Sequence, residues 1–230
     1  MAQVLELSEA DIPIEAAARI GDALAAACAE PSQGRIGLMV SGGRTPAQVL
    51  PLVLGRDDID WARIDVVASD ERLVSRDYPA STEGLVRRLF EKAGRVCHYV
   101  GFGADTSPDM ALAQWQAGIE RMAWPPVIAF LGMGDDAHTA SLFPRRPEAA
   151  RADLFVASVP ETAPHVAPRL TLGAKALSDC ETLLLVANSA GKAAQLERAL
   201  LPNSDPSELP VVWLTRMAQT TVLKIRKETG

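Results

Sequence analysis

Cysteine is scarce: Cys28, Cys97 and Cys180 are the only three in 230 residues. They are odd in number, far apart and without a neighbouring Cys or His at metal-ligand spacing, so neither a disulfide framework nor a zinc site is indicated. That usage suits a reducing cytoplasm. No cluster of Lys or Arg is dense enough for nucleic acid or an anionic membrane, and the formal net charge is −6. A small soluble substrate fits better, even an anionic one, because local arginines rather than net charge would hold it. No apolar run is long enough to span a membrane. A basic region leading into an apolar stretch is also missing at the start. Ala16 to Cys28 is broken by Arg19 and Asp22 and reads as an amphipathic helix, not a signal peptide.

The length allows a substantial core, and no composition shift marks a linker, so one domain over residues 1–230 is expected. Strand-like and helix-like stretches alternate, the pattern of an α/β fold with a mostly parallel sheet covered by helices on both faces. The strand candidates are Val4 to Leu7, Ile36 to Val40, Ile64 to Ala68, Val96 to Val100, Val127 to Leu131, Leu154 to Val159, Thr182 to Val186 and Thr220 to Ile225. Apolar residues at three- and four-residue spacing predict helices over Ile14 to Ala29, Pro46 to Leu54, Ser81 to Glu91, Pro108 to Met122 and Gly191 to Leu201. Ser107-Pro108 reads as an N-cap followed by proline at the first helical position, and Thr45-Pro46 repeats the signal. Pro202 to Pro210 reads as a surface loop.

Three polar turns follow apolar strands, which is where an open α/β sheet places its chemistry. Leu131-Gly132-Met133-Gly134-Asp135-Asp136-Ala137-His138 sets a histidine and a carboxylate in a glycine-rich turn. Gly132 and Gly134 permit close backbone approach to a ligand, Asp136 is near enough to orient an imidazole, and histidine titrates close to working pH. Ser41-Gly42-Gly43-Arg44-Thr45-Pro46 follows a strand and opens a helix, so its N–H groups and the helix's positive end suit an anion such as phosphate. The Gly-Lys-Ser/Thr ending of a nucleotide P-loop is absent from it. In Ser69-Asp70-Glu71-Arg72, Arg72 could hold a phosphate bidentately and Asp70 could accept hydrogen bonds from sugar hydroxyls. Arg169 in Pro168-Arg169-Leu170-Thr171 and Lys192 in Gly191-Lys192 add two cations beside expected turns; a solvated surface charge is the plainer account of each. His98 reads as part of a strand and His165 as part of a proline-rich loop, so neither enters the site.

SGGRTP at 41–46, SDERLV at 69–74 and LGMGDDAHTASLFP at 131–144, in this order, resemble the 6-phosphogluconolactonase family, and the similarity extends over nearly the whole chain. It includes PRLT at 168–171 and GK at 191–192, where family members place an arginine and a lysine near the substrate. The resemblance implies a three-layer Rossmann-like sheet of the sugar-phosphate isomerase/deaminase kind. It also implies a monomeric enzyme that needs no metal and no organic cofactor, acting on 6-phospho-D-glucono-1,5-lactone. His138 would be the general base and Asp136 its orienting partner. Backbone N–H groups of the glycine turns would stabilise the oxyanion. Arg72, Arg169 and Lys192, with the SGG turn, would anchor the phosphate.

Glucosamine-6-phosphate deaminases share the SGG turn and an Asp-x-His segment, but their histidine is followed by a stretch ending Asn-Glu-Pro whose glutamate serves ring opening. Ser141-Leu142-Phe143-Pro144 has no carboxylate there, so although Asp70 could be an isomerase base, the acid is missing. A non-catalytic sugar-phosphate sensor would carry an added DNA-binding or second domain, for which this chain has no room. Three positions depart from the family pattern. Arg44 replaces the usual Ser after SGG and either adds a phosphate contact or points into solvent. Ala137 replaces Gly and would be strained if its φ is positive. Ser81-Thr82 replaces a Ser-Asn pair and lacks one amide.

Overall fold

The runs Ile36–Val40 (β2), Ile64–Ala68 (β3) and Leu183–Ala187 (β9) are buried at every position. Apart from Asp65 in β3, which pairs with Arg35, these strands are apolar, and such runs belong in a sheet covered on both faces. The computed structural model, which describes residues 1–30, 32, 34–103, 107–160 and 167–226, has such a sheet at its centre. The other elements are β1 (Gln3–Leu7), α1 (Asp11–Ala29), α2 (Arg44–Leu54), β4 (Asp70–Arg72), α3 (Thr82–Lys92), β5 (His98–Val100), α4 (Pro108–Ile119), β6 (Ile128–Gly132), β7 (Val156–Val159), β8 (Arg169–Leu172), α5 (Ala174–Asp179), α6 (Ala190–Ala199), α7 (Val212–Arg216) and β10 (Thr220–Ile225). Seven strands pair in the order β1-β10-β9-β6-β2-β3-β5, every pair parallel.

Side chains alternate across this sheet and build two cores. Leu38, Val40, Ile64, Val66, Ile128, Phe130, Leu184 and Val186 pack with α1, α2 and α3 on one face. Met39, Val67, Ala129, Leu131, Leu183 and Leu185 pack with α4, α5, α6 and α7 on the other. Helix starts are set by side-chain caps: Ser81, Ser107 and Ser189 each accept a hydrogen bond from the N–H three residues on. None of the helices is long and apolar enough to cross a membrane among the described residues.

Five expectations need correction. Leu154 to Val159 does supply a strand, but β7 pairs antiparallel with β8, which pairs antiparallel with β4, in a separate three-stranded sheet. Arg169 and the Asp70-Glu71-Arg72 segment therefore lie on strands, not in turns. Thr45 is not a cap; the helix begins at Arg44 after Gly43, whose φ of 101° suits glycine, and Pro46 falls in the first turn, where a missing N–H costs nothing. The fourth helix stops at Ile119 instead of Met122, just before Pro125 and Pro126, which cannot extend it. α5 and α7 are short helices without a readable period. His165 lies outside the described residues.

Candidate active site

Strands β2 and β6 are neighbours whose chain connections leave in opposite directions along the sheet, a topological switch point where ligands bind beyond the strand ends. The two turns that follow them are stitched together: Ser41 N–H donates to the Phe130 carbonyl at 2.9 Å, and Gly132 N–H donates to Ser41 Oγ at 3.2 Å. Above them opens a cleft of about 470 Å³. Ser41, Gly42, Gly43, Arg44, Thr45, Asp70, Arg72, Gly132, His138, Arg169 and Lys192 all line it. Gly134 and Asp136 do not; they stand behind His138. A Cβ on Gly134 would run into the His138 ring and lie 2.6 Å from Asp136 Oδ1, so glycine is required for the ring to sit where it does.

Asp136 Oδ1 is 2.6 Å from His138 Nδ1 and also accepts the His138 backbone N–H at 3.2 Å. Burial raises the pKa of this carboxyl, but the hydrogen bonds and the charge of His138 outweigh it and hold it down at about 2. The loop is closed by Gly134 N–H on the His138 carbonyl at 2.8 Å and by Val211 N–H on the Ala137 carbonyl at 3.0 Å. Those bonds hold Ala137 at φ 69° and fully buried, and Ala140 at φ 49°. The amides of Gly132 and Gly134 are thus engaged within the protein, whereas the first N–H groups of α2 lack intrahelical acceptors.

Opposite the histidine loop, Asp70 is buried and held from three sides. Ser141 Oγ donates to its Oδ2 at 2.6 Å, Ser69 Oγ to its Oδ1 at 3.1 Å, and Arg169 Nη1 lies 3.6 Å away. Arg169, only 7% exposed, is far from the solvated surface charge its sequence setting suggested. Burial lowers the pKa of its guanidinium, and the neighbouring Asp70 carboxylate offsets part of that shift. Its guanidinium carbon sits 5.5 Å from the centroid of the Phe143 ring, whose centroid is 5.0 Å from that of His138. Arg72 Nη1 donates to the Ala80 carbonyl at 2.7 Å, and Lys192 Nζ reaches Asn188 Oδ1 at 3.5 Å.

Glu9, Gln48, Met133, Asp135, Asn188 and Ser189 also line the cleft and were not singled out from sequence. Asn188-Ser189 follows a buried strand and opens a helix, the same signal that marked the other turns. Phe143, whose ring lies beside both His138 and the Arg169 guanidinium, was read only as part of the 131–144 motif and not as a site residue.

Residues 8–223 match the family described as glucosamine-6-phosphate isomerases/6-phosphogluconolactonase. The chain belongs to this family. Among relatives of the glucosamine-6-phosphate isomerase/6-phosphogluconolactonase family, the 6-phosphogluconolactonase of Pseudomonas aeruginosa is 35% identical over 204 residues, which is 85% of this chain and 83% of that protein. The 6-phosphogluconolactonase of Caulobacter vibrioides is 33% identical over 224 residues, 94% of this chain and 92% of that one. The crystal structure of a 6-phosphogluconolactonase from Shewanella baltica superposes with a TM-score of 0.83 at 26% identity, covering 98% of this chain and 97% of that chain.

Proposed function

We propose that the chain hydrolyses 6-phospho-D-glucono-1,5-lactone to 6-phospho-D-gluconate, the second step of the oxidative pentose phosphate pathway, with His138 as general base. The observation that carries this reading is the Asp136–His138 pair at 2.6 Å, on the wall of a cleft that also holds Arg44, Arg72, Arg169 and Lys192. The names of the relatives support the substrate class.

A neutral imidazole that donates from Nδ1 carries its lone pair on Nε2, the nitrogen suited to act as base. Water attacks the lactone carbonyl and passes a proton to Nε2. The tetrahedral intermediate then collapses with cleavage of the bond from C1 to the ring oxygen, and the same proton returns to that oxygen. Asp136 stabilises the imidazolium between the two transfers. Arg72, Arg169 and Lys192, with Ser41 to Thr45 at the head of α2, hold the phosphate and keep the carbonyl in register. Neither a metal nor an organic cofactor has a part in these steps.

An isomerase or deaminase would use Asp70 to remove a proton from carbon. Here both oxygens of that carboxylate are already engaged, by Ser141, Ser69 and Arg169, and Ser141-Leu142-Phe143-Pro144 offers no carboxylate to serve as the ring-opening acid.

The test is hydrolysis of freshly generated 6-phosphogluconolactone by the intact protein and by His138→Ala, against the spontaneous background in the same buffer. A large acceleration that the variant loses supports substrate and base together. Acceleration that survives removes His138 from the mechanism, and no acceleration overturns the lactonase reading.

A further inference from the structure

Glu71 lies on β4 between two residues that line the cleft, and alternation along the strand turns its side chain the other way. Its carboxylate is buried yet accepts four hydrogen bonds: from the N–H of Arg72 at 2.8 Å, Thr82 at 3.0 Å and Glu83 at 2.6 Å, and from Ser81 Oγ at 3.3 Å. Burial raises the pKa of this carboxyl, and the three backbone N–H groups oppose that rise. One anion therefore fastens the strand that carries Arg72 to the first turn of α3.

Two further contacts connect that turn with the cleft. Ala80, whose carbonyl receives the Arg72 guanidinium at 2.7 Å, directly precedes the residues that Glu71 holds. Thr82 Oγ1 abuts Gly42 so closely that a Cβ on Gly42 would collide with it. The Arg72 backbone, the acceptor for the Arg72 guanidinium and the back of the glycine turn thus share Glu71 as their anchor.

We infer that Glu71 is a positioning residue that sets the place of Arg72 and, through Thr82, of the glycine turn, and so governs how tightly the cleft grips the phosphate end of its ligand. The inference rests on the lactonase reading above. It assigns Glu71 no contact with substrate and no proton transfer.

Glu71→Gln keeps the shape but puts an NH2 group among N–H donors, so the set of bonds cannot be completed. Glu71→Asp keeps the charge on a shorter arm. With both variants shown by circular dichroism to be folded at the assay temperature, the expected result is a KM for 6-phosphogluconolactone raised about tenfold in Glu71→Gln, with kcat within about threefold. Glu71→Asp recovers part of the loss. Unchanged kinetics, or a fall in kcat at constant KM, overturns the inference. Should Glu71→Gln fail to fold, Glu71→Asp alone decides it, with a KM raised at least threefold expected and an unchanged KM overturning it. If the intact protein does not turn over the lactone, the lactonase reading fails separately. A crystal structure of the folded variant then reads the positioning directly: Arg72 displaced from the Ala80 carbonyl supports it, and Arg72 and Thr82 unmoved overturn it.

Discussion

The guanidinium of Arg169 lies over the Phe143 ring, 5.5 Å from its centroid, while its Nη1 is 3.6 Å from the carboxylate of Asp70 on the neighbouring strand. A cation in this position is held by the ring quadrupole as well as by charge, and the His138 ring leans on the same phenyl group. Phe143→Leu keeps an apolar side chain of similar reach and removes the quadrupole. We expect kcat/KM for the lactone to fall about 2- to 30-fold, matching the roughly 0.5–2 kcal/mol of a cation–π contact. Steady-state kinetics alongside a thermal melt checks this; unaltered kinetics would show that Phe143 only fills space.

Ala137 occupies the left-handed region at φ 69° with no exposed surface. An L-residue pays roughly 1–2 kcal/mol there, and glycine does not, although glycine loses more entropy on folding. Ala137→Gly is therefore expected to raise stability by about 0.5–1 kcal/mol, or about 1–4 °C in Tm for a chain of this size. Ala137→Val, branched at Cβ and without room, is expected to lower it by more. Differential scanning calorimetry decides the sign, and a glycine variant that melts lower would mean that the loop holds the positive φ without strain.

The main sheet was legible because β2, β3, β6 and β9 are covered on both faces and so read as apolar runs, broken only by Asp65 in β3. The His138–Asp136 pair was legible because two residues of separation in a glycine-rich turn leave few other arrangements. The second sheet was not. Its strands β4 and β8 carry Asp70, Glu71, Arg72 and Arg169, charges that look like surface turns until each meets its partner from a distant segment. Pairings such as Asp70 with Ser141, 71 residues apart, have no local periodicity to betray them. The same holds for Phe143, whose place between His138 and Arg169 follows from the fold of the loop and not from its composition.

Asp136 carries a pH dependence whose sign is fixed by its environment. Burial raises its pKa, but His138 outweighs this and brings it down to about 2. A depressed acid stabilises the fold when ionised, so its contribution is complete above about pH 4, the ordinary carboxyl range, and is lost as pH falls toward 2. Carbon-13 NMR of the Asp136 carboxyl should show a midpoint near 2 in the intact protein and a clearly higher one in His138→Ala, where burial is no longer outweighed. A midpoint of about 4 in both would mean that the pair does not persist in solution. In the same pair, Asp136→Asn removes the anion that stabilises the imidazolium, with an expected loss in kcat of about a hundredfold or more.

Arg44 sits at the first position of α2, exposed and lining the cleft, and its side chain makes no hydrogen bond or ion pair among the described residues. The other cations of the cleft differ: Arg72 is spent partly on the Ala80 carbonyl, Arg169 on Asp70 and Phe143, and Lys192 on Asn188. An exposed charge beside an anion site acts mainly through long-range attraction, which salt screens over about 8–10 Å at physiological ionic strength. Arg44→Ser, which restores the residue usual in the family, is expected to raise KM about two- to fivefold at low salt, leave kcat unchanged, and lose its effect near 0.5 M NaCl, where screening shortens further. Kinetics at two salt concentrations separates this from a direct clamp: a KM increase that persists at high salt would mean that Arg44 holds the phosphate by short-range hydrogen bonds, and no increase at either would place its charge in solvent.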